Sequence, residues 1–154
     1  MTQRQHYFLA TLLALWLLPL TALATDSSVT HSLPGAQGYD LVSYFTNGEP
    51  QKGNGNHTFV YENVIYLFIN QDHKEKFKAN PQQYLPIYGG YCAFAITMGK
   101  KVVGDPLAWQ IVDDKLYLNL NKKVQKRWQQ AIPENIAKAN EQWPEIKDIP
   151  VNQL

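Results

Sequence analysis

The chain has one cysteine, Cys92, and that scarcity removes several kinds of protein at once. A single thiol cannot close an internal disulfide, so stability has to come from packing rather than from a covalent framework. Without a Cys-x-x-Cys or His-x-x-x-His spacing, no compact metal or redox motif can be read from the sequence. Phosphate-binding loops, dinucleotide fingerprints, Gly-x-Ser-x-Gly elbows and zinc-protease helices are also missing. So is any surplus of charge beyond the N-terminal segment: 14 Lys+Arg less Arg4 leaves 13, against 13 Asp+Glu. This neutrality argues against nucleic acid or anionic lipid as a partner, because both require a basic footprint. Lys74, Lys76, Lys78, Lys122, Lys123, Lys126 and Arg127 accordingly read as solvated helix faces.

Long apolar runs occur only at the N-terminus. Met1–His6 carry one arginine and no acid, Tyr7–Leu20 are almost wholly apolar, and Ala22-Leu23-Ala24 has the small-x-small pattern of a signal-peptidase site. Residues 1–24 are therefore expected to be a cleaved signal peptide, with the mature protein in the periplasm and no stable membrane insertion. Pro19 and the shortness of the run weigh against an anchor, since about 20 apolar residues span a bilayer. Residues 25–37, with Ser27, Ser28, Pro34 and Gly35, read as a flexible leader. A single domain is expected over 38–147, with a tail over 148–154.

Aromatic residues are what the domain has in quantity, and they supply large buried area per side chain. Leu41–Phe45 reads as a short strand or turn-rich segment, and Lys52–Asn56 as a loop. Thr58–Tyr61 and Val64–Ile69 alternate as two strands about a tight Glu62-Asn63 turn. Asn70 is positioned to cap a helix over Gln71–Ala79, which Pro81 ends, and Tyr66, Phe68, Phe77 and Tyr84 should form one cluster. Tyr91–Met98 reads as a helix stopped by Gly99. A second hairpin, Trp109–Val112 and Lys115–Leu120, turns at Asp113-Asp114. Asn121 caps a helix to about Ala131, and Pro133 opens a last helix to Trp143, stopped by Pro144. The two hairpin-plus-helix units have different motifs, and no repeat of the solenoid kind is evident. The fold class expected is α+β: one small domain of two β-hairpins with short helices packed on them.

His57-Thr58-Phe59-Val60-Tyr61-Glu62-Asn63-Val64-Ile65-Tyr66-Leu67-Phe68, followed by Asn80-Pro81-Gln82-Gln83-Tyr84, resembles the core of the YHS domain family over 57–85. The longer frame, from Gly38-Tyr39-Asp40 through Tyr88-Gly89-Gly90-Tyr91-Cys92-Ala93 to Trp143-Pro144, is similar to exported bacterial YHS-domain proteins of no established activity. Many YHS domains bind heavy metals through cysteines, and soft ions such as Cu(I) favour sulfur while structural zinc takes four N/S ligands. Where those relatives have Phe-Cys-Ser-x-x-Cys, this chain has Phe68-Ile69-Asn70-Gln71-Asp72-His73, so both thiols are gone.

The remaining candidate ligands for copper or zinc are Cys92, Met98, His57 and His73, which only the fold could bring together. Each has a plainer use: Met98 as core filler, His57 and His73 as exposed polar residues, Cys92 as a small buried apolar side chain. Cys92 also follows two glycines at the expected start of a helix, the setting of an activated thiol, which would make a thiol-dependent enzyme. Trp109, Trp128 and Trp143 fit either a ligand pocket or the core. The resulting expectation is a periplasmic, monomeric and non-enzymatic module with no assigned catalytic residue, binding a small ligand or a metal ion. The alternatives are an enzyme using Cys92 and an envelope protein-interaction module.

Overall fold

A computed structural model describes residues 34–154; the expected signal peptide and residues 25–33 of the leader lie outside the described residues. Helices and antiparallel two-stranded ladders form one α+β domain, as expected. Its elements are β1 (Tyr39–Asp40), α1 (Ser43–Thr46), β2 (Gln51–Lys52), β3 (Asn54–Tyr61), β4 (Val64–Phe68), α2 (Gln71–Ala79) and α3 (Pro81–Tyr84). After these come α4 (Ala93–Ile96), β5 (Asp105–Val112), β6 (Lys115–Asn119), α5 (Lys122–Trp128) and α6 (Ile132–Ile146). β1 pairs with β2, β3 with β4, and β5 with β6.

The two hairpin-plus-helix units, whose motifs differ in sequence, are built to one plan. Each opens on a left-handed turn: Ala36, Gln37 and Gly38 have φ of 50°, 54° and 82°, and Tyr88, Gly89 and Gly90 have 60°, 61° and 81°. A tyrosine then enters an antiparallel bridge, Tyr39 with Lys52 and Tyr91 with Val103. A four-residue helix follows in both, α1 and α4. The hairpins share the same slip in register: Asn54 pairs Phe68 and Thr58 pairs Leu67, just as Asp105 pairs Asn119 and Trp109 pairs Leu118. Both turn residues have positive φ in each hairpin, Glu62-Asn63 and Asp113-Asp114, as a two-residue turn that matches strand twist requires. Asn70 and Asn121 then cap α2 and α5, accepting from the N–H of His73 at 2.8 Å and of Val124 at 3.0 Å. From β3 onward the offset between units is 105 − 54 = 51 residues.

Glycine is required at one equivalent place in each unit. Gly53 N–H donates to Gly38 O and Gly104 N–H to Gly90 O, both at 3.0 Å. A Cβ on Gly53 would lie 2.3 Å from the Leu67 carbonyl carbon, and one on Gly104 would lie 2.6 Å from Leu118 Cβ. Any side chain would push the strand off its neighbour.

The units differ in how deeply their second strand is covered. On β6, Leu116 and Leu118 face one core with Tyr66, Phe68, Phe77 and Tyr84, while Tyr117 faces another with Tyr88, Ile96, Trp128 and Ile146. Side chains alternate across a strand, so β6 is sandwiched between the two cores. β4 buries Tyr66 and Phe68 inward and leaves Ile65 exposed. The expected Tyr66–Phe68–Phe77–Tyr84 cluster is present, with Phe77 4.9 Å from Tyr66 and 5.2 Å from Phe68 between ring centroids.

Several local expectations are corrected. Leu41–Phe45 is not a strand, because the Asp40 carboxylate accepts the N–H groups of Val42 and Ser43 and so starts α1. Lys52–Asn56 is not a free loop, since Lys52 ends β2 and β3 begins at Asn54. Tyr91 and Cys92 are held extended, by the bridge to Val103 and by donation from Cys92 N–H to Val102 O at 2.7 Å, and the helix shrinks to α4. α6 runs past Pro144 to Ile146, which is buried in the second core; a proline in the last turn forfeits one bond, to the Asn140 carbonyl. Pro34–Gln37, assigned to the leader, belong to the folded unit, where Ala36 packs on the first core. In the expected tail, residues 148–154, buried Lys101 donates through Nζ to Ile149 O as well as to Lys147 O just before it, and Val151–Gln153 form an exposed 3₁₀ turn.

Candidate ligand-binding cleft

Two polar centres and one cleft come out of this plan. The first centre is Asp40, wholly buried at the end of β1. Its Oδ1 accepts from Val42 N–H at 2.9 Å and Ser43 N–H at 3.3 Å; Oδ2 accepts from Ile69 N–H at 2.9 Å and from the His73 ring at 2.7 Å. Because the carboxylate only accepts, His73 carries its hydrogen on Nδ1, which leaves Nε2 facing Thr46 Oγ1 at 3.2 Å. His73 is thus buried, not the exposed residue the sequence suggested, and both ring nitrogens are engaged. Ile69 and His73, far from Asp40 in sequence, both donate to its one carboxylate. The arrangement ties β1, α1, the end of β4 and α2 into a single knot.

The second centre is Cys92, 1% exposed, at the N-cap position of α4, where it makes no side-chain capping bond. Its Sγ–H donates to Asn119 Oδ1 at 3.8 Å, while Asn119 Nδ2 is buried without a partner among the described residues. A four-residue helix offers little macrodipole to a thiol. Cys92 therefore sits as the buried apolar reading expects.

The other candidate ligands lie apart from these centres. Met98 is 58% exposed rather than core filler, because α4 closes at Ile96 and Gly99, at φ 68°, turns the chain outward. His57 lies half-buried in the irregular part of β3, with Nδ1 unpaired among the described residues. No three His, Cys, Asp or Glu side chains converge on a point among the described residues. Nor is any helix there long and apolar enough to cross a membrane.

The cleft measures about 680 Å³ and is half-open. Two of its walls are the equivalent turns of the two units, Pro34–Gln37 and Pro86–Gly90. Gln37 Nε2 donates to Gly104 O at 2.8 Å and thereby pins the first turn to the second unit. β4 contributes Val64 and Tyr66, β6 contributes Leu118, and α6 contributes Trp143. The Trp143 ring stands edge-on to Tyr88, 5.8 Å between centroids, and Tyr88 is fixed from behind by donation to Asn140 Oδ1 at 2.9 Å. Burial pushes the Tyr88 phenol up, and pushes up that of Tyr66 with a smaller contribution from the Glu62 carboxylate. Among the described residues lining the cleft, Glu62 is the one charged side chain.

Of the three tryptophans weighed from sequence, Trp143 lines the cleft, Trp128 is buried in the second core, and Trp109 packs on the first. Sequence reasoning missed Asp40, Glu62 and the two turns. The signal for the turns was present in Pro34-x-x-x-Gly38-Tyr39 and Pro86-x-x-x-Gly90-Tyr91, which hold proline, glycine and tyrosine in matching places. Comparison with protein-family models, curated proteins and solved structures yields no match.

Proposed function

We propose that this chain is a non-enzymatic small-ligand-binding protein of the YHS type, working in the periplasm, with its ligand held between the paired left-handed turns. The observation that carries this reading is the cleft itself. Its volume of about 680 Å³ falls within the range of small-molecule sites, roughly 300–1,000 Å³. Its walls are mainly apolar and aromatic, with Gln37, Glu62 and Gln82 as the polar side chains, and the Gln37–Gly104 and Tyr88–Asn140 hydrogen bonds hold two of the lining residues in place. Such a site binds without first having to be ordered. The charged-then-apolar leader ending at Ala24 supports the compartment.

A metal-ion reading, with copper or zinc on Cys92, Met98, His57 and His73, has one supporting observation, the unpaired buried Nδ1 of His57. One imidazole nitrogen is a single ligand, and His73 would have to leave Asp40 to join it. The experiment that separates the two is thermal unfolding of mature protein with the low-molecular-mass fraction of its host's envelope, and separately with Cu(I) or Zn(II). A ligand at 100 times its Kd stabilises by about 2.7 kcal/mol. Stabilisation by the extract that is lost in Val103→Trp, a substitution on the cleft wall, is the expected result. Stabilisation by metal alone, lost in His57→Ala, would replace the cleft reading with the metal one.

A further inference from the structure

The charge and surface of the cleft select among ligands. We infer that it takes a small organic cation, an amine or quaternary ammonium carrying an apolar body; this rests on the cleft being a ligand site. Three aromatic rings, Tyr66, Tyr88 and Trp143, line it. Glu62 places a carboxylate there, and neither Lys, Arg nor His is among the described lining residues. An anion would meet an uncompensated negative charge and no side chain of opposite sign, whereas a cation gains the carboxylate and the ring of Trp143, which is less buried than Tyr66 at 9% or Tyr88 at 3% exposed.

Glu62 reaches this place through the fold. It is the first residue of the β3–β4 turn, at φ 48°, and lines the cleft together with the Pro86–Gly90 turn. The equivalent turn of the second unit, Asp113-Asp114, contributes nothing to the cleft, so the acid is a feature of one unit only. Lys101 Nζ lies 5.4 Å over the Tyr91 ring, and Tyr91 packs against Trp143 at 6.3 Å. The apolar body of the ligand would lie against Leu85, Pro86 and Ile87, apolar residues of the cleft wall.

The test uses three probes with a common benzyl body: benzyltrimethylammonium, benzyl alcohol and phenylacetate. Each is titrated into ¹⁵N-labelled mature protein, with Glu62→Gln and Trp143→Leu as variants. The expected result is that the cation binds most tightly, shifts the amides of Gly89 and Gly90, and weakens as salt is raised. Glu62→Gln should weaken it about 1.5- to fivefold, the range for an exposed charge pair, and leave benzyl alcohol unchanged. Trp143→Leu should weaken it without altering the salt dependence. Tighter binding of benzyl alcohol or phenylacetate at the same amides would overturn the cationic assignment and leave the cleft as a ligand site. Shifts at those amides with none of the three would overturn both.

Discussion

Asp40 Oδ2 and His73 Nδ1 are 2.7 Å apart across 33 residues of sequence, with the Asp40 side chain fully buried and that of His73 6% exposed. The carboxylate accepts from four N–H groups in all, so it is the most heavily bonded side chain of the first unit. Removing it strands three backbone donors and an imidazole in the interior. Asp40→Ala should therefore cost several kcal/mol, since each buried donor left without its partner costs about 1–3 kcal/mol. His73→Ala should cost less, because three of the four bonds survive. Urea midpoints measure both, and equal losses would show that the backbone bonds contribute nothing.

Phe77 and Trp128 occupy equivalent places on α2 and α5, and neither is exposed. Truncating either to alanine should cost about 3–5 kcal/mol. Because Leu116, Tyr117 and Leu118 lie between the two cores, the loss should appear as one cooperative transition monitored at either end of the chain. Two separated transitions would mean that the units fold independently.

Cys92 should alkylate slowly in the native state, and the protein should run as a monomer on non-reducing gels, since a 1% exposed thiol cannot reach a second chain. Cys92→Ala should lower stability and leave ligand binding intact. Rapid native labelling, or loss of binding in a folded Cys92→Ser variant, would move the site to the thiol.

Alkaline titration tests the tyrosine environment. Burial raises the phenols of Tyr44, Tyr66, Tyr88 and Tyr117 above the ordinary 10.0. A raised folded value means that the unfolded chain loses these protons first. Stability from this source is complete below pH about 10 and falls as pH rises toward the folded values. Tyrosinate absorbance should show a late step coincident with unfolding. A single smooth titration near pH 10 would contradict the burial of all four.

The hairpins and α2 were legible in the sequence because their signals are local: alternation in Val64–Phe68, a two-residue turn, and Asn70 before a helix. α1 was not, and α4 was legible as a helix whose expected bounds, Tyr91–Met98, were too wide. The Asp40 carboxylate that starts α1 is itself held by the distant Ile69 and His73, and the Val102 carbonyl keeps Cys92 extended ahead of α4. Burial of His73 was hidden for the same reason, since nothing within a turn of it announces Asp40. The repetition of one plan was masked by exchanged side chains: Asp40 matches Cys92, His73 matches Val124, Phe77 matches Trp128. What stayed constant was backbone chemistry, the left-handed turns, Gly53 with Gly104, and the two asparagine caps.

The most direct measurement is native mass spectrometry of mature protein recovered from its own host's envelope, parent beside Val103→Trp. The parent should carry one non-covalent organic mass, released on denaturation, and the variant should lack it while keeping the parent's unfolding midpoint in buffer. The same adduct on both proteins, or a stoichiometric metal ion in its place, would contradict a ligand site between the two turns.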